Sequence, residues 1–479
     1  MQSANMKTST TLDQVRAPDT FNLVHLYWIC SIAALGGLLF GYDWVVIGGA
    51  KPFYEAYFGI VSPMQSGWAM SCALLGCFVG ALCSGVLSEA LGRKRALLIA
   101  AAVFLGSSIG TGSAHVLAAF VLWRILGGLA IGMASGLSPM YIAEAAPAEI
   151  RGKLVCLNEL TIVIGLFLAQ LTNWFIARPV PAGATLADIA ASWNGQMGWR
   201  FMFAATAVPS LLFFLGMLTV PESPRWLAQR GRAAEAGRNL ARIGGAAYSA
   251  RVLAEIEESL HNRNQTQSEL SQLVCKPLRG VLVLGVVLAA LQQWCGINVI
   301  FNYAQEVFSA AGYGLSSMLA NILITGTVMV IFTFVAIATV ENLGRRMLML
   351  IGCAGLAAIY IVLGALFRVH SHGIHMLVLV VMAIACYAMT LAPITWVVLS
   401  ELFPNQVRGT AMAISTMSLW SACFALTYSF PLLNGRFGTA NVFWLYALIC
   451  AAGFVYILRM LPETKGRTLE EIQHFWMKD

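Results

Sequence analysis

Twelve long, predominantly apolar stretches run through this chain, near 24–48, 66–90, 97–113, 116–142, 154–177, 200–220, 278–304, 314–340, 347–367, 374–400, 410–432 and 440–460. A helix that crosses a bilayer needs about 20 such residues. Charged residues make up only 11% of the chain, where a soluble domain carries about 25%. Mean hydropathy is +0.75. No water-soluble core hides so many apolar stretches, so lipid is the expected solvent. Disorder, collagen and a small disulfide scaffold are excluded. The 11 cysteines are odd in number and fall largely inside apolar runs, as Cys72, Cys77 and Cys83 do, and are read as buried, reduced packing residues. The first 22 residues are polar. The stretch after them is too long for a signal sequence and lacks a small-residue cleavage site, so it is expected to be a retained span.

An even number of spans puts both termini on one face. In the short loops and tails that face carries 14 Lys and Arg, against 5 on the other, namely Lys51, Arg178, Arg200, Arg368 and Arg436. Basic residues collect on the cytoplasmic side, so both termini are expected there. The basic residues are scattered over loop ends, which argues against a nucleic-acid partner. The chain then divides into a tail (1–23), a six-helix bundle (24–220), a polar linker of short amphipathic helices broken at Gly244-Gly245 (221–277), a second six-helix bundle (278–460) and a tail (461–479).

The two bundles repeat one another. Glu89 to Arg95 recurs as Glu341 to Arg346 with a shift of 252, and Glu144 to Gly152 recurs as Glu401 to Gly409 with a shift of 257. Pro221-Glu222-Ser223 recurs as Pro462-Glu463-Thr464, shifted by 241, and Gly41-Tyr42-Asp43 aligns with Gly296-Ile297-Asn298, shifted by 255. Two six-span halves of equal orientation suit alternating access around a site between them.

Several residues stand out chemically. Asp43 is a carboxylate deep in an apolar run, and Arg124 a guanidinium inside the fourth span. Such groups are costly in lipid and face a cavity or each other. A titrating Asp43 tuned by Arg124 would couple transport to protons; a static buried pair is the alternative. Gln292, Gln293 and Asn298 sit around Gly296 at the start of the seventh span. Side-chain amides supply both donors and acceptors, the mixture a neutral polyol needs, although interhelical amide pairing is the competing role. Glu144 and Arg151 mirror Glu401 and Arg408, and cross-pairing between halves would brace the cytoplasmic side in the outward-open state. Arg93, Glu222, Glu341 and Arg345 are placed to join them. His370, His372 and His375 share a short loop without an added carboxylate or cysteine, and no metal site is expected. No nucleotide-binding motif, nucleophile–base pair or cofactor motif is present, so ATP-driven transport and enzyme activity are not expected.

Together these motifs carry a resemblance. Gly92-Arg93-Lys94, Arg124 with Gly127-Gly128, Pro221 to Trp226, Gln292-Gln293 with Gly296-Ile297-Asn298, and Pro462 to Gly466 occur in order over about Gly36 to Leu469. The chain resembles the sugar porter family of the major facilitator superfamily, and within it the bacterial proton-coupled sugar symporters of the xylose type. The resemblance implies an all-α membrane protein of two six-helix bundles, functioning as a monomer in a bacterial inner membrane. It implies a neutral monosaccharide as substrate, the proton as co-substrate and no cofactor. It also implies proton coupling through Asp43 and Arg124, sugar contacts from Gln292, Gln293 and Asn298, and an aromatic platform at Trp396. Asn302, Thr395 and Gln170 are weaker pocket positions. The chain departs from the family at Leu166 and Leu419, where amides are common, at Asn302, often tyrosine, and at Glu159, usually glutamine. A pocket less polar on one flank points to a less hydroxylated sugar. A facilitative sugar or polyol carrier and a sugar sensor remain as other readings of the same residues.

Overall fold

The structure is a computed structural model that describes residues 21–147, 150–181, 183–263, 276–403 and 407–465. Among these residues it is all helix, with twelve helices long and apolar enough to cross a membrane. Backbone polar groups find no partners in hydrocarbon, so a spanning segment must satisfy them internally, as a helix does. Spans 1 to 6 are Leu23–Phe58, Pro63–Leu91, Arg93–Gly112, Leu117–Ala145, Arg151–Ile176 and Asn194–Thr219. Spans 7 to 12 are Leu278–Asn302, Ser317–Val340, Arg345–Arg368, Ile374–Leu402, Gly409–Phe437 and Thr439–Met460. Their outer faces are built for lipid. Span 6 exposes Val208, Leu211, Leu212, Leu215 and Leu218 in a stripe at helical spacing.

The duplication read in the sequence is a duplication of packing. Span 1 lies on span 5 as span 7 lies on span 11, span 2 on span 4 as span 8 on span 10, and span 3 on span 6 as span 9 on span 12. Between the halves, span 2 meets span 11 and span 5 meets span 8. Those two contacts are equivalent under the repeat, so the halves are related by a pseudo-twofold axis.

Span 1 runs past the expected end at 48 to Phe58, straight through Pro52. Lys51, counted above among the loop charges, is therefore inside a helix and only 3% exposed. Span 7 is broken twice. Its first helix ends at Trp294, Gly296 adopts φ 87°, a short helix covers Ile297–Asn302, and Tyr303 separates this from Ala304–Ala310. The break expected at the start of span 7 thus lies well inside it, because Gly296 needs the left-handed backbone that other residues rarely adopt. Span 10 breaks at Thr390.

The linker forms helices Pro224–Gln229 and Ala233–Arg263, the second bent at Gly245. It is fastened to the face that carries the termini, where Trp226 Nε1 and Arg230 Nη2 donate to the Glu89 carbonyl at 3.0 and 2.7 Å. Ten cysteines are described and all are free thiols; Cys156, expected to be buried, is exposed.

Candidate functional site

Asp43 and Arg124 meet in the middle of the first half. Span 1 reaches span 5 closely enough there that a Cβ on Gly41 would lie 1.8 Å from the Ile162 carbonyl oxygen, the kind of small-residue contact that membrane helices use. Arg124 Nη1 donates to Asp43 Oδ1 at 2.5 Å, and the residues are 4% and 6% exposed. The guanidinium carbon lies 5.3 Å from the centroid of the Phe203 ring. Arg124 Nε is buried with no hydrogen-bond partner. A buried pair of this kind contributes little net stability, whereas removing one partner is costly, about 3–5 kcal/mol.

The pair opens onto a small cavity lined among others by Phe40, Asp43, Trp44, Met70, Arg124 and Asn302. Asn302 belongs to the second half, so the cavity lies between the halves. Its Oδ1 is buried and unpartnered. Phe40 and Trp44 pack on Trp420 across the interface, with ring centroids 5.5 and 6.0 Å apart. These aromatic contacts went unnoticed in the sequence, because nothing in a run of apolar residues marks which aromatic faces a cavity.

The predicted amides form a connected chain beside this cavity and do not line it. Gln292 Nε2 donates to the Leu391 and Ala392 carbonyls of span 10 at 3.3 and 2.9 Å. Gln293 Nε2 donates to Gln292 Oε1 at 3.3 Å, and Asn298 Nδ2 donates to Gln293 Oε1 at 2.5 Å. All three residues are buried. Trp396 is half-buried on span 10. The Thr395 hydroxyl is committed to the Leu391 carbonyl at 2.8 Å. Of the predicted pocket residues, Asn302 is thus the one on the Asp43 cavity. Gln170 sits at the span 5–span 8 interface, with both amide atoms buried and unpartnered; a Cβ on Gly326 of span 8 would lie 1.9 Å from its Oε1. Leu166 and Leu419 are buried, and Glu159 is half-buried two turns into span 5.

Two matching charge clusters occupy the face that carries the termini. In the first half Arg93 grips Glu144 with Nε at 3.0 Å and Nη2 at 2.9 Å, and Ser223 Oγ donates to the same carboxylate. Glu222 accepts the backbone N–H of Lys94 at 3.0 Å, at the start of span 3. In the second half Arg345 holds Glu401 at 3.0 and 3.2 Å, and Thr464 Oγ1 donates to Glu401 at 2.6 Å. Glu463 accepts the N–H groups of Arg345 and Arg346 at 3.0 and 3.1 Å. A carboxylate at a helix N-terminus satisfies free N–H groups and complements the helix dipole. Gly92 and Gly344 turn into these helices with φ 96° and 83°, and a Cβ on either would strike the capping carboxylate, at 2.2 and 2.8 Å.

Cross-pairing between the halves is expected for the state in which the terminal face is closed. Among the described residues, Glu144 and Glu401 are each held by an arginine of their own half, Arg93 and Arg345, which begin the neighbouring helices. Arg151 is exposed and lies 3.5 Å from the Ala146 carbonyl. The side chains of Glu341 and Arg408 lie outside the described residues. The capping role of Glu222 and Glu463 was legible in principle, since Pro-Glu-Ser and Pro-Glu-Thr recur where each half ends. In the histidine loop, Ser371 Oγ and His375 Nε2 are 2.8 Å apart.

Comparison with known proteins agrees with this architecture. A family model described as "Sugar (and other) transporter" matches residues 29–476. The D-xylose-proton symporter of Escherichia coli (strain K12) is 37% identical, over 95% of this chain and 96% of its own. The arabinose-proton symporter of Bacillus subtilis (strain 168) is 38% identical, over 99% and 100%. Among solved structures, the xylose transporter XylE from E. coli in a partially occluded inward open conformation superposes with a TM-score of 0.81 at 35% identity, over 93% of this chain and all of that one. The chain belongs to the sugar transporter family.

Proposed function

We propose that this member of the sugar transporter family imports a monosaccharide together with protons by alternating access. It would sit in a bacterial inner membrane, act as a monomer and have both termini in the cytoplasm. The observation that carries the reading is the buried Asp43–Arg124 pair opening onto a cavity that both halves line. Ionised Asp43 is held by Arg124. A proton arriving through the cavity neutralises the carboxylate and releases the guanidinium from it, and the two states favour different arrangements of the helices around them. Differential stability of that kind is what shifts a conformational population. The proton is the co-substrate and no cofactor is required.

The sugar is assigned to the space between the halves. Asn302 meets it in the cavity described above, and Gln292, Gln293 and Asn298 from span 7, Gln170 from span 5 and the ring of Trp396 contact it where the amides exchange their present hydrogen bonds for its hydroxyls. Gln170 and Asn302 already present unpartnered buried amide oxygens, which water or a hydroxyl would satisfy. Relatives carry xylose and arabinose by name. Leu166 and Leu419 remove polar partners from one flank and favour a substrate with fewer hydroxyls there. The Arg93–Glu144–Ser223 and Arg345–Glu401–Thr464 clusters, with Glu222, Glu341, Arg151 and Arg408, form the cytoplasmic gate that closes when the opposite face opens. The orientation rests on the excess of basic residues at the face bearing the termini.

Uptake of a panel of labelled pentoses, hexoses and deoxy sugars into proteoliposomes, with and without a pH gradient, tests the reading. Accumulation of one sugar above its external concentration, only with acid outside, is expected. Equal flux with and without the gradient would instead make this a facilitative carrier.

A further inference from the structure

The repeat that aligns Asp43 with Asn298 by a shift of 255 also aligns Lys51 with Glu306. A base thus occupies the position in span 1 that an acid occupies in the continuation of span 7. Equivalent positions near a pseudo-twofold axis face one another, and these two do: Lys51 Nζ lies 2.6 Å from Glu306 Oε1. Lys51 is held from its own half as well, by Glu55 Oε2 at 2.8 Å, and Ser66 Oγ donates to the other Glu55 oxygen at 2.6 Å. The ammonium lies 5.6 Å from the centroid of the Tyr303 ring, at the second break of span 7 and next to cavity residue Asn302. One cation therefore bridges an acid from each half.

Its surroundings close the same face. One turn before Lys51, span 1 approaches span 7 so tightly that a Cβ on Gly48 would lie 2.4 Å from the Phe301 carbonyl oxygen. At the start of span 2, a Cβ on Gly67 would lie 2.5 Å from the Tyr428 carbonyl oxygen of span 11. The halves are drawn together at the face opposite the termini. There Lys51–Glu306 joins them, while the described ion pairs at the terminal face, Arg93–Glu144 and Arg345–Glu401, stay within one half.

We propose that Lys51 and Glu306 form a latch that holds this face shut and must part each time the cavity opens to it. The proposal rests on the alternating-access reading above. Opening separates spans 1 and 7, so it strips Glu306 of its buried cation while Lys51 keeps Glu55. The closed state is thus favoured over the open one by the cross-half contact alone. Glu55 positions the lysine and does not itself cross the interface.

The test is labelling of a single cysteine at Ile47 with a membrane-impermeant maleimide, added from the face opposite the termini, in a full-length chain lacking its native cysteines. Ile47 lines the cavity. Lys51→Met and Glu306→Gln should each raise the labelling rate at least about fivefold. The double variant should label no faster than the faster single one, because both remove one contact. The exchanged pair, Lys51→Glu with Glu306→Lys, should label near the unmodified rate. Unchanged or slower labelling in both single variants, additive effects in the double, or fast labelling of the exchanged pair would overturn the latch. If a single variant fails to insert, the exchanged pair decides: insertion with slow labelling supports the latch, and failure to insert counts against it. Labelling needs no knowledge of the sugar, so failure of the uptake assay and failure of the latch are separable.

Discussion

Asp43 has one strong partner, and its substitution separates chemistry from structure. Asp43→Asn keeps the shape but cannot titrate or pair fully with Arg124. Sugar counterflow should survive while proton-driven accumulation is abolished, measured as uptake with and without a pH gradient and as external alkalinisation. Accumulation equal to the unmodified protein would remove Asp43 from coupling. Gln292 has two roles to separate. Its Nε2 ties span 7 to two carbonyls of span 10, and the proposed sugar contact falls to the same side chain. Losing one hydrogen-bond partner in a buried site costs about 1–3 kcal/mol, so Gln292→Ala should weaken binding by roughly 5- to 150-fold, read by calorimetry. A lower melting temperature with unchanged affinity would make it an interhelical tie. At this scale the sequence marked Asp43, Arg124 and the amides because polar groups are conspicuous in apolar runs. It could not say which amide oxygen stays unpartnered, since the Gln292, Gln293 and Asn298 side chains are consumed by each other and by span 10, while Gln170 and Asn302 are not.

Helix starts are where the repeat is most exacting. Spans 3 and 9 both begin after a glycine of positive φ, with a carboxylate from the end of the same half on their first N–H groups. Any side chain at Gly92 meets both a strained backbone and the Glu222 carboxylate. Strain of this type costs about 1–3 kcal/mol, so Gly92→Ala should lower the melting temperature in detergent while leaving sugar affinity unchanged. An unaltered melting curve would show that Glu222 moves aside freely. The Gly-Arg-Lys and Pro-Glu-Ser motifs were legible as motifs, yet their contact was not, since about 130 residues separate them in the chain. The extent of span 1 was misjudged for a related reason. Lys51 was counted as a loop charge beyond the stretch ending near 48, but a lysine whose charge is met by Glu55 and Glu306 is tolerated inside a helix, as is a proline whose freed backbone groups find other partners.

Across the whole molecule, the two faces should respond to charge removal in opposite ways. Arg408→Gln is expected to favour opening of the terminal face. A loss of about 1 kcal/mol would change the ratio of states roughly fivefold, seen as faster labelling of a cavity cysteine from that face; unchanged or slower labelling would place the gate elsewhere. Lys51→Met should move the same equilibrium the other way. The number of spans, their helical nature, the shared face of the termini, the duplication and the acid in span 1 were all determined by the sequence alone. They follow from hydrophobicity, backbone hydrogen bonding and local spacing, which act within about one helix length. Pairing between halves was not so determined. Two acids and two bases per repeat allow several combinations, and only the positions of the helices decide among them. Among the described ion pairs, proximity joins Glu144 to Arg93 and Glu401 to Arg345 within each half, and Lys51 to Glu306 across the halves, where the pseudo-twofold axis brings them face to face.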